Sequence, residues 1–76
     1  MGMTNETESP WVKLTEREQE IAFLLATGDK SREIATALGL SIKTVDTHRT
    51  NLLKKLKLKN NVELLRFMIR DDLVKL

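Results

Sequence analysis

The stretch from Ser31 to Leu56 constrains this chain more than any other feature: a short helical pattern, one glycine, and a longer helical pattern follow each other almost without a gap. In the first pattern Ile34, Ala35 and Leu38 fall on one side, and Ser31 is placed to cap it. Gly39 then suits the left-handed conformation that ends a helix abruptly. Leu40 is expected to be buried, and Ser41 caps the next helix. There Val45, His48, Leu52 and Leu56 recur at spacings of three, four and four, which puts them on one face with Leu53 beside them. Two helices joined by so tight a turn make a helix-turn-helix unit.

The flanking residues supply one helix on each side. Thr15-Glu16-Arg17-Glu18 has the form of a capping box, in which the Thr15 hydroxyl accepts from the Glu18 amide and the Glu18 carboxylate reaches back. Acids in this first turn agree with the helix dipole. Ile21, Leu24 and Leu25 share a face and Gly28 supplies a stop, which predicts a helix over about 16–27. The helix after Ser41 is predicted over about 42–57, residues 57–60 form a connector, and Asn61 caps a last helix over about 61–71. Residues 1–10 are polar and aperiodic and end in Ser9-Pro10. Trp11, Val12 and Leu14 are placed to pin that lead-in onto the domain. The fold class expected is therefore all-α, a four-helix helix-turn-helix domain over residues 13–76, with residues 1–12 as a flexible tail or linker. At 76 residues there is room for one domain and one modest core.

The last helix carries too many apolar residues for a single stripe. Val62, Leu65, Ile69 and then Leu73 project to one side, while Leu64, Phe67 and Met68 project largely to another. A domain of this size can bury one such face in itself. The second face calls for a partner, most simply a second copy of the chain, and Leu64, Phe67 and Met68 are the residues expected to form that dimer surface. The competing expectation is one wide core face.

Composition excludes several functions. No Cys is present, so disulfides and thiolate metal sites are ruled out, and a single His cannot build a multi-histidine site. No cofactor is expected. Without Cys or Tyr, with one inward His and no Gly-rich phosphate loop, an enzyme is the weakest reading. No stretch approaches the roughly 20 apolar residues that span a bilayer, and the N-terminus lacks a signal-peptide pattern; no membrane partner and a cytoplasmic location are expected. The formal net charge of +2 says little, but its distribution says more. Residues 1–20 hold five acids against Lys13 and Arg17, whereas residues 41–60 hold six bases against Asp46 alone. That polarity suits a protein with one face turned to a polyanion.

In combination, LTEREQEIAFLLATG and SREIATALGLSIKTVDTHRTNLLKKLKLKN resemble the LuxR/NarL-type DNA-binding domain of bacterial transcription regulators. The similarity runs over about residues 14–74 and rests on the T-x-R-E opening, E-I-A in the second helix, S-x-x-T-V-x-x-H at the start of the third, and K-L-x-L-K-N after it. It implies a four-helix domain whose third helix enters the major groove, and dimerisation, often through the fourth. By position, Lys43, Asp46, Thr47 and Thr50 match the family's groove-facing residues, and Thr44 its phosphate-contacting end, with Lys54 further along the backbone. Two departures stand out: Asp46 occupies a position where Lys or Arg is common, and Asn61 one where Arg is frequent. The chain reads either as a domain of a longer protein or as a small stand-alone regulator.

These residue types suit the task. Lys and Arg neutralise phosphates and release counterions, which supplies affinity without sequence information; Lys30, Lys43, Arg49, Lys54 and Lys55 are candidates, with Ser31 beside Lys30 and Thr44 at a helix start that offers amides and a dipole. Base identity needs shorter side chains that reach base edges. Thr47 and Thr50 can hydrogen-bond or touch a thymine methyl, and Asp46 can accept from a cytosine amine or instead orient Arg49 or Lys43 through a local salt bridge. His48 shares the inward stripe and is expected to be packed and hydrogen-bonded. The expected partners are double-stranded DNA, a second copy of the chain, and RNA polymerase as a further candidate. Two rivals remain: a helical protein-interaction module using the last helix, and a sigma-factor-like promoter-binding domain, which shares T-x-R-E and E-I-A but would end near the third helix.

Overall fold

The computed structural model describes residues 9–74, and among these it has four α-helices and no strand. A 3-10 turn over Pro10–Lys13 leads in. The helices are α1, Glu16–Ala26; α2, Ser31–Leu38; α3, Ile42–Leu56; and α4, Asn61–Arg70. The expected tail, residues 1–12, falls mostly outside the described residues. Its last part belongs to the fold: Trp11 is buried, and the Ser9 hydroxyl caps the turn and donates to Asp71 Oδ2 at 2.6 Å, at the end of α4.

The helix starts follow local chemistry. At α1 the capping box is complete, with the Glu18 amide donating to Thr15 Oγ1 (3.1 Å) and the Thr15 amide to Glu18 Oε1 (2.9 Å). Ser41 caps α3 by accepting from the Thr44 amide at 3.0 Å. Two caps differ from expectation. Ser31 is the first residue of α2 and not its cap: the Lys30 amide bonds the Glu33 carboxylate at 2.7 Å, and the Ser31 hydroxyl is engaged elsewhere. At α4 the cap is Asn60, whose Oδ1 accepts from the Glu63 amide at 2.9 Å, so Asn61 is the first helical residue.

All four helices close in the same way. A residue with positive φ follows the helix, and the next amide reaches back five residues: Asp29 to Leu24 O, Leu40 to Ala35 O, Leu58 to Leu53 O and Leu73 to Met68 O. Gly28 and Gly39 fill this position after α1 and α2, whereas Lys57 (φ 59°) and Asp72 (φ 60°) fill it after α3 and α4. Gly39 sets the direction of the helix-turn-helix, because its left-handed turn sends the chain from α2 straight into α3.

The core is one cluster. α3 lies at its centre, in contact with α1, α2 and the 3-10 turn, through Val45, Leu52, Leu53 and Leu56. Ile21, Ala22 and Leu25 of α1, Ile34 and Ala35 of α2, Leu64, Phe67 and Met68 of α4, and Trp11 and Leu14 before α1 complete it. Trp11 stacks edge-to-face on Phe23, ring centroids 5.3 Å apart, and pins the lead-in as expected. His48 is half-buried on the inner stripe but has no hydrogen-bond partner among the described residues, contrary to expectation.

The last helix corrects the expected dimer surface. α4 packs on α1 through Leu64 (0% exposed), Phe67 (3%) and Met68 (0%), so the residues assigned to a partner are core residues. The opposite stripe faces outward, with Val62 61% exposed and Leu65 and Ile69 half-buried. Both stripes are apolar, but the buried one carries Phe and Met. Burying the larger side chains removes more apolar surface from water. Arg70 then covers the Phe67 ring, its guanidinium carbon 5.4 Å from the centroid.

Candidate nucleic-acid interface

The sequence places a run of polar residues on the side of α3 away from its apolar stripe, and the fold leaves that side open. Ile42, Lys43, Asp46, Thr47, Thr50 and Asn51 line a shallow concavity of about 470 Å³. The four residues expected to face a groove, Lys43, Asp46, Thr47 and Thr50, thus come together on one surface. Ile42 and Asn51 were not among them. Asn51 lies on the polar side by periodicity alone and could have been included. Ile42 gives no such signal, because an apolar residue after a cap usually turns inward; here it is 44% exposed.

Hydrogen-bond accounting narrows what each side chain can offer. A hydroxyl has one proton to give. Thr47 spends its proton on the Lys43 carbonyl at 3.0 Å, which leaves its oxygen free to accept and its methyl free for apolar contact. Thr44 Oγ1 accepts from the Ser41 hydroxyl at 2.8 Å and keeps its own proton for an acceptor such as a phosphate. Thr50 makes no bond among the described residues and is free in both senses. Ser31 donates to Asp46 Oδ1 at 2.6 Å, so its hydroxyl has no proton left for a phosphate.

The cations divide in the same way. Lys30, Lys43 and Lys54 are exposed, and none of them forms an ion pair among the described residues. Arg49 bonds Asp46 Oδ1 through Nη2 at 3.3 Å, while its Nε is buried without a partner. Its side chain, with Lys30, Ser31 and Asn61, borders a second concavity of about 430 Å³ next to the start of α2. Lys55 departs from expectation: its ammonium turns back to Glu18 Oε1 at 2.8 Å and is spent inside the fold.

Glu18 is 5% exposed and accepts from both Lys55 and the Thr15 amide. Burial by itself would push its carboxyl upward. The Lys55 ammonium, with the Thr15 amide and hydroxyl, outweighs that and holds it below the ordinary glutamate value. Basic residues on one flank of α3 therefore face solvent, while the base at its far end anchors the helix to α1.

Comparison with known proteins agrees with this arrangement. The family model described as bacterial regulatory proteins, luxR family, matches residues 12–68. The oxygen regulatory protein NreC of Staphylococcus carnosus (strain TM300) is 40% identical over 70 residues, which is 92% of this chain and 32% of that protein. The transcriptional regulatory protein UhpA of Escherichia coli (strain K12) is 54% identical over 55 residues, 72% of this chain and 28% of that protein. The response regulator UvrY of the same strain is 41% identical over 68 residues, 90% of this chain and 31% of that protein. The chain thus spans about a third of the length of these relatives. No helix among the described residues is long and apolar enough to cross a membrane. With its helix-turn-helix fold and the family match over most of its length, the chain belongs to the luxR family of bacterial regulatory proteins: it is a LuxR-type helix-turn-helix DNA-binding domain of transcription regulators.

Proposed function

We propose that α3 enters the major groove of duplex DNA and reads sequence with its N-terminal half. The observation that carries this is the concavity formed by Lys43, Asp46, Thr47 and Thr50, an exposed surface of short polar side chains and one long base on a helix that the core holds rigidly from behind. Lys30, Arg49 and Lys54 flank it as phosphate contacts, joined by the Thr44 hydroxyl and the amides at the start of α3. Ser31 contributes at most its backbone amide to a phosphate. Affinity then comes from the cations and base preference from the threonines and Asp46. We assign the domain to the bacterial cytoplasm, where the chromosome it would bind lies.

Fluorescence anisotropy of the 76-residue chain on duplex DNA, titrated with salt, tests this. With three or four charges neutralised per domain, log K is expected to fall with log salt at a slope of about −3. Absence of binding at low salt contradicts the proposal.

The outward stripe of α4 supports a second element. Val62, Leu65 and Ile69 make an apolar surface that the domain itself covers only in part, and we assign it to a second copy bound through the same helix. Two copies related by a two-fold axis would read two half-sites. Sedimentation of wild type against Val62→Glu and Leu65→Glu checks this; a mass that does not change, in the presence or absence of DNA, removes the dimer.

A further inference from the structure

Asp46 is the one acid among the residues that line the α3 concavity, and its surroundings explain how an acid can face a polyanion. Its Oδ1 takes both of its hydrogen bonds, one from the Ser31 hydroxyl at 2.6 Å and one from Arg49 Nη2 at 3.3 Å. Oδ2 has no bond among the described residues, and the side chain lines the concavity shared with Lys43, Thr47 and Thr50. The two bonds differ in strength. An O–H donor at 2.6 Å to a carboxylate is short and charge-assisted, whereas the Asp46–Arg49 pair is over a third exposed on both sides and contributes little by itself. The stronger bond also joins residues 15 apart, and so ties the first residue of α2 to the second turn of α3.

We infer that Ser31 is a positioning residue for base readout: by holding Asp46 Oδ1 it fixes Oδ2 on the groove side, as an acceptor for the exocyclic amine of one base, best met by cytosine. Arg49 offsets the carboxylate charge and is itself aimed toward the backbone by the same oxygen. This rests on the proposed groove-facing role of α3. It turns Ser31 from a phosphate contact into part of the specificity apparatus, because its only proton is committed to Asp46.

The test measures the full chain on a selected duplex and on variants of it with each base pair replaced in turn, for wild type, Ser31→Ala, Ser31→Thr, Asp46→Ala and the Ser31→Ala/Asp46→Ala double variant. Ser31→Ala is expected to weaken discrimination by about fivefold, the lower end for a base-edge hydrogen bond, at the same base pair as Asp46→Ala. Affinity for random duplex and the salt slope stay unchanged. Ser31→Thr restores the preference, and the double variant loses no more discrimination than Asp46→Ala does. A uniform loss across all duplexes for Ser31→Ala, with base preference kept, makes it a phosphate contact and overturns the inference. An unaltered preference in Ser31→Ala overturns it as well and leaves the groove-facing role of α3 standing. A wild type that binds with no base preference overturns both.

Discussion

The two halves of α3 use the same residue types for opposite ends. In the C-terminal half, Leu52, Leu53 and Leu56 are buried and Lys55 pairs with a buried glutamate from another helix. In the N-terminal half only Val45 is buried, and Asp46 pairs with Arg49 one turn away at the surface. The first half fixes where the helix lies, and the second is left free to meet a ligand. The difference lies in the acids: the Glu18 side chain is 6% exposed and that of Asp46 44%, so removing Lys55 would leave a buried carboxylate unpaired, whereas removing Arg49 would leave Asp46 in water. A rigid back and an open front on one helix is what a reading element needs, since base discrimination depends on side chains held in place before contact.

Substitutions should separate the halves, and the largest effect lies in the core. Leu52→Ala, at a fully buried position, is expected to cost about 3 kcal/mol. Chemical denaturation measures it, and base preference of the folded protein should not change. Next comes Glu18→Gln, which removes the charge that pairs with Lys55 and weakens the cap at the start of α1; about 2 kcal/mol is expected. Because the native carboxyl is held below its ordinary value, its contribution is fully present above the unfolded glutamate pKa of about 4.3 and disappears as pH falls through that value and below it. Wild type should therefore lose more stability than Glu18→Gln between neutral pH and the acid range; identical acid profiles would show that the pair contributes nothing. The smallest effect is expected at the end of the anchoring half. Lys57 holds a left-handed φ of 59°, and Lys57→Gly should stabilise by roughly 0.5 kcal/mol, the relief of strain being partly offset by a more flexible unfolded chain. Thermal melting resolves the sign.

Much of this was legible in the chain because it is written locally. The capping box at Thr15, the stop at Gly28, the turn at Gly39 and the cap at Ser41 each depend on a few neighbouring residues, and the helices follow. The outer surface of α3 follows from periodicity alone. What the sequence could not show are choices made across the fold. Ser31 reads as a phosphate donor until a carboxylate 15 residues away claims its proton. Lys55 reads as one more surface base until α1 brings Glu18 against it. The two stripes of α4 are equivalent until α1 selects the bulkier one, and the left-handed Lys57 and Asp72 carry no glycine to announce them.

The central claim, that the front of α3 reads bases while its cations only bind charge, is tested most directly by comparing Thr50→Ala with Lys54→Ala. Both residues are exposed on α3, one turn apart. Each variant is titrated on a selected duplex and on random duplex across a range of salt concentrations. The account predicts that Thr50→Ala lowers the ratio of selected to random affinity and leaves the salt slope alone. Lys54→Ala should weaken both duplexes equally and make the slope shallower by about 1. Equal losses on both duplexes for Thr50→Ala, or a changed base preference for Lys54→Ala, would contradict it.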